Sequence, residues 1–128
     1  MKNLHLVLSS VIVIPAALLY GVAPADALPL LFDFQVGTTD LNNVFRAIMG
    51  LYMASAALWI LGIFKTEYWK AATLLNIVFM LGLAAGRLLS MALDGMPSPT
   101  YAFGWAGELV LGMFAMYQYR NYSPSESP

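Results

Sequence analysis

The amino-acid sequence predicts an all-α fold, a four-helix bundle embedded in a membrane. Three observations carry this expectation. Of 128 residues, 60% are apolar and 10% charged, where a soluble domain has about 45–50% and about 25%. The apolar residues are gathered into four blocks, at about 4–22, 41–64, 69–93 and 101–119, each near the ~20 residues a helix needs to cross the hydrocarbon core. No block shows the strict alternation of a membrane β-strand, and backbone in lipid satisfies its own hydrogen bonds only as helix or closed barrel.

The first block follows Lys2 and precedes Ala25-Asp26-Ala27, which mimics a signal-peptidase site. Its apolar run is longer than a usual signal-peptide core, so it is expected to stay as a span, kinked at Pro15 where the ring removes a helical N–H. The connection 23–40 contains Leu28-Pro29-Leu30-Leu31-Phe32-Asp33-Phe34, too apolar for a freely solvated loop. It is expected to lie on the membrane surface or to fold over the helix ends, either as a plain lid or as a gate. The second block carries Arg46, the third Asn76 and Arg87, and the fourth Glu108. Residues 1–120 read as one four-span domain, and the polar, Ser- and Pro-rich residues 121–128 as a loose tail.

Orientation follows from the basic residues. Lys2, Lys65, Lys70 and Arg120 lie before the first block, between the second and third, and after the fourth, while the other two connections hold Asp26, Asp33, Asp40 and Asp94 and no Lys or Arg. The positive-inside rule therefore predicts that both termini are cytoplasmic. Small residues four apart recur in every block, as at Ala17/Gly21, Gly50/Ala54, Gly82/Gly86 and Ala102/Ala106. Such pairs let helix backbones approach closely, inside a bundle or between chains.

Several function classes are excluded or weakened by composition. A net charge of −1 offers no basic surface for nucleic acid, and the absence of cysteine removes thiolate nucleophiles, Cys-bound zinc and iron–sulfur clusters. No Ser–His pair, two-His metal site or phosphate-binding glycine loop is present. A non-enzymatic role is therefore favoured over an enzyme, and the sequence leaves any cofactor unknown. His5, the only histidine, is expected to be solvated at the cytoplasmic end rather than to ligate a haem or chlorin.

The informative constellation is Arg46, Arg87 and Glu108. Measured from the outer ends of their blocks, all three lie about 8–11 Å deep at 1.5 Å per residue. A charge in lipid costs at least about 2.5–3.5 kcal/mol at the bilayer centre, so three at one level are expected to converge inside the bundle. Helical spacing adds Asn42 to the face of Arg46, and Ser90 and Asp94 to that of Arg87. Asn76 falls three turns deeper than Arg87 on nearly the same face, and Tyr101 accompanies Glu108. The expected result is a polar pocket in the outer half, roofed by the segment from Asp94 to Pro99. Ion pairs Arg87–Glu108 and Arg46–Asp94 would make the cluster a register lock. If Asp94 stays in water, two guanidinium forks against one carboxylate suit a carboxylate or phosphate group.

Arg46 with Gly50-Leu51-Tyr52, Gly86-Arg87-Leu88-Leu89-Ser90, Asp94-Gly95-Met96-Pro97-Ser98 and Glu108-Leu109 resemble the pattern of a bacterial four-helix membrane family catalogued as domain of unknown function 4345. The resemblance covers most of the chain and implies a small bundle in a bacterial cytoplasmic membrane, with no activity to carry over. A looser similarity in architecture is to four-span proteins of the DoxX type, some of which accompany membrane redox enzymes. Three functions follow as expectations. The first is a non-enzymatic protein binding a small anionic or amphiphilic ligand, such as a lipid head group, through Arg46, Arg87, Glu108, Ser90 and Tyr52, with Asp94, Asn42, Asn76 and Tyr101 at the rim. The second is an accessory subunit of a larger redox or photosynthetic membrane complex, or a homo-oligomer. The third is a proton- or ion-coupled transporter, for which Asn76 and Ser55 make only an incomplete path across the inner half.

Overall fold

The computed structural model describes residues 1–123. They form five helices and no strand: α1 (Leu4–Gly21), α2 (Pro24–Leu31), α3 (Thr39–Phe64), α4 (Thr66–Asp94) and α5 (Pro99–Tyr122). The four long helices match the four apolar blocks, and α2 is a short addition inside the connection 23–40. α5 runs two residues past the expected domain end at 120. Residues 124–128, within the expected tail, lie outside the described residues.

The boundaries have local causes. Pro24 begins α2 at a position where its missing N–H breaks no helical bond. The Thr38 side chain accepts from the Leu41 N–H at 3.1 Å and so caps α3. Lys65, in extended backbone, ends α3 and begins α4 by itself, which makes those helices an antiparallel hairpin. α4 stops at Gly95, whose φ of 93° is backbone that glycine adopts without a Cβ penalty. α1 stays helical through Pro15.

α1 packs on α3, α3 on α4 and α4 on α5, while α1 and α5 touch only lightly. α1 buries Leu6, Val13, Ala17 and Tyr20, one stripe at helical spacing. α3 supplies Tyr52, Ala56 and Trp59, α4 Trp69, Ala72 and Met80, and α5 Leu111 and Ala115. The other faces are as apolar as the core. Val11, Leu51, Val78 and Val110 are 63–66% exposed on the bundle exterior. Three helices, α1, α3 and α4, are long and apolar enough to cross a membrane. α5 is 24 residues long but more polar.

The connection 23–40 folds back over one end of the bundle. Leu28 is fully buried, and Phe32 and Val36 nearly so, so it covers the helix ends as a lid would.

Close approach is concentrated at few points. A Cβ on Gly62 would sit 2.5 Å from the Ala72 Cβ and 3.4 Å from the Trp69 Cα, whereas one on Gly82 would meet nothing within 4 Å. Overpacking a core contact costs about 1–3 kcal/mol. Gly62→Ala should therefore lower the thermal midpoint of the purified protein, while Gly82→Ala should leave it unchanged.

Candidate functional site

Arg87 and Glu108 meet because the α4–α5 turn lies nearly midway between them. Seven residues of α4 and nine of α5 separate them from the helix ends, about 10 and 14 Å of rise. The Arg87 Nε donates to both Glu108 carboxylate oxygens, at 2.8 and 3.1 Å. The two side chains are 23% and 14% exposed. Because the carboxylate engages only Nε, the remaining donors of the guanidinium fork are not used by it. The guanidinium lies 4.9 Å from the Tyr101 ring centre, within cation–π range.

Aromatic side chains surround this pair. Tyr101 stacks on Phe32 with centroids 4.1 Å apart. Phe32 also stacks on Tyr20 at 6.3 Å and on Phe34 at 5.9 Å. Tyr20 meets the edge of Tyr52, which meets Phe79. Phe34 in turn stacks on Phe45 of α3 at 5.6 Å, so the folded-back connection is fastened to α1, α3 and α5 near the ion pair, through contacts that favour offset-stacked or edge-to-face rings.

Below this aromatic roof lies a cavity of about 430 Å³ between α1 and α5, where the bundle closes least tightly. Ile12, Val13, Ala16 and Leu19 form its α1 wall, and Gly104, Gly107 and Leu111 much of its α5 wall. Tyr52, Phe79, Met80 and Leu83 back it. Among the described residues, Arg87 and Glu108 are its only charged lining residues. A largely apolar cavity of this size with a few converging polar groups has the form of a small-molecule site.

The structure brings Arg87, Glu108, Tyr52 and Tyr101 together on this cavity and places the other predicted residues elsewhere. Arg46 is exposed, and its Nη1 donates to the Gly21 carbonyl at 2.8 Å and reaches Val22 O at 3.5 Å. It satisfies carbonyls at the end of α1, where a cation also favours the helix dipole. Ser90 donates to Asp94 at 3.1 Å, with both residues exposed. The polar stripe upward from Arg87 therefore exists, but its end points away from the bundle. Asn42 donates to the Thr38 carbonyl at 3.1 Å and belongs to the start of α3. Asn76 is fully buried but is not among the cavity's lining residues. The roof is also built differently from the expectation: Phe32 and Tyr101 line the cavity, while the segment from Asp94 to Pro99 does not.

Sequence reasoning missed Tyr20, Phe32, Phe79 and Leu83 as parts of this site. The apolar run containing Phe32 was the available signal for one of them. His5 requires a correction. It is fully buried, not solvated, and its Nε2 lies 2.9 Å from the Thr73 hydroxyl. Trp69 and Phe114 pack edge-on around its ring. The physical reason is that α1 begins inside the bundle. Gln118 of α5 donates to the Met1 carbonyl at 2.6 Å, and Asn3 donates to the Ile63 carbonyl at 3.3 Å.

Two outcomes follow. Removing one member of a buried pair strands a charge and costs about 3–5 kcal/mol, whereas replacing both with apolar groups is often neutral. Arg87→Leu and Glu108→Leu should each lower stability strongly, and the double variant should recover most of the loss in a double-mutant unfolding cycle. Thr73→Val, which keeps the shape but removes the partner of His5, should cost about 1–3 kcal/mol in the same unfolding assay.

No curated protein and no solved structure matches the chain. The family described as a domain of unknown function (DUF4345) matches residues 1–119. That match takes in all but the last nine residues, and the chain is a member of the DUF4345 family.

Proposed function

We propose that this is a non-enzymatic membrane protein that binds a small amphiphile, with the chain of the ligand in the α1–α5 cavity and its polar head at Arg87. The observation that carries the reading is the cavity itself, mainly apolar and, among the described residues, charged only at Arg87 and Glu108. An apolar tail gains from burial in it, and the partly used guanidinium fork suits the acceptor oxygens of a carboxylate or phosphate. Arg46, held at the end of α1, is not needed for this binding. The lining carries one positive and one negative group, so selectivity rests on hydrogen-bond geometry and tail shape rather than on surplus charge.

All four long helices cross the cytoplasmic membrane of a bacterium in this reading, with both termini and the Lys65 turn cytoplasmic and the folded-back connection outside. The distribution of Lys and Arg supports the orientation, and the exposed apolar faces support the lipid surroundings. α5 crosses with its Glu108 turned onto Arg87, away from lipid. Because the chain contains no cysteine, single-cysteine variants report topology cleanly. Glu67→Cys should react with an impermeant maleimide only after the cytoplasmic side is opened, and Asp33→Cys in intact cells.

Ligand binding is tested by native mass spectrometry of protein extracted in mild detergent. One amphiphile per chain is expected on the wild type and none on the folded Arg87→Leu/Glu108→Leu variant. Equal retention by both would remove the proposal. A second reading, an accessory subunit packed on a larger membrane complex, is favoured by one feature: Gly50, Ala54 and Ala57 form an exposed small-residue face on α3 that the bundle does not use. Gentle extraction that yields a stable complex through this face would select that reading.

A further inference from the structure

Arg87 is approached from two sides. The α1–α5 cavity reaches it from one direction, and a second groove of about 380 Å³ reaches it from between α3 and α4. The two spaces share Tyr20, Tyr52, Leu83, Arg87 and Tyr101 as a common wall. The groove continues over Phe45 and Ile48 of α3 and over Gly82, Gly86 and Ser90 of α4. Its floor is unfilled by design of the sequence: a Cβ on Gly82 or Gly86 would meet nothing within 4 Å, so these glycines serve no close helix contact within the chain.

The two spaces lie on either side of one shared wall, with Arg87 part-way along the groove between Gly82 and Ser90. Along α5 the first cavity runs from Thr100 to Leu111, eleven residues or about 16 Å; along α4 the groove runs from Gly82 to Ser90, eight residues or about 12 Å. Both are lined mainly by apolar groups, and the arginine stands where they meet. A ligand with a single tail fills one space and leaves the other to solvent lipid. The geometry points to a two-chain lipid as the ligand, a glycerophospholipid with its phosphate region at Arg87, one acyl chain in the α1–α5 cavity and the other in the α3–α4 groove.

This inference rests on the amphiphile-binding reading, and chain number separates the two. The full-length protein, in a detergent of larger micelle than either probe, is titrated with phosphatidylglycerol and with its one-chain lyso form, and binding is read by native mass spectrometry. Because the head groups are identical, any preference reports the second chain. The wild type should bind the two-chain lipid at least about tenfold more tightly. Gly86→Leu places a side chain in the groove without touching the first cavity; it should reduce the two-chain affinity to the one-chain level and leave the one-chain affinity unchanged. Gly82→Leu fills the deeper part of the same groove and provides a second folded variant with the same expectation. Equal wild-type affinity for both probes, or a two-chain preference that survives both leucine variants, overturns the two-chain assignment while leaving the one-tail site intact. Failure of both probes to bind overturns the two-chain assignment, and the amphiphile reading falls with it only where the gently extracted wild type also carries no amphiphile.

Discussion

The arrangement of this protein depends on the pairing of Arg87 with Glu108. A guanidinium and a carboxylate on adjacent helices, each mostly withdrawn from the surface, tolerate only orientations in which they meet. That requirement sets the rotation of α5 against α4, and the α4–α5 turn at Gly95 brings the two residues to matching heights. Most other contacts near this end of the bundle follow from it. Tyr101 takes the face of the guanidinium, Phe32 stacks on Tyr101, and the connection between α1 and α3 is drawn over the helix ends.

The same pairing explains why the bundle is not tightly closed between α1 and α5. Leu111 and Ala115 place α5 against the core at its lower half, whereas the upper half is held to α4 by the ion pair. α1 is tied to α3, with Gly21 closely approached by Met49. The gap between these two attachments is the cavity. Small residues at Gly104 and Gly107 leave it open, and the aromatic roof closes it at one end.

The two ends of the bundle use polar residues differently. Near the ion pair, they face a cavity. At the other end, His5 and Thr73 bond to each other, and Gln118 and Asn3 reach backbone carbonyls of neighbouring segments, so these side chains fasten the start of α1 to α3, α4 and α5. Lys2 adds to the same anchor by lying 5.0 Å from the Trp69 ring centre. This polarity accounts for the burial of a histidine whose sequence position suggested a solvated end.

Much of this was legible before any coordinates. Four long helices followed from the block pattern, because each apolar block has the length of a helix of about 20 residues and none alternates like a strand. The Arg87–Glu108 encounter followed from the cost of isolated charges and from their nearly equal distance to a short turn. The apolar run of the connection left it either on the membrane surface or folded over the helix ends, and packing chose the second. What the one-dimensional pattern did not contain was rotation about each helix axis. These helices are apolar all round, so hydrophobicity does not mark which face turns inward, and depth alone could not separate Arg46 from Arg87. Only tertiary packing decided that Arg46 lies outside, on the carbonyls that end α1, while Tyr20 and Phe32 lie inside. The reason is physical: depth is a property of one helix and its sequence, whereas facing is set by the neighbours that the helix meets.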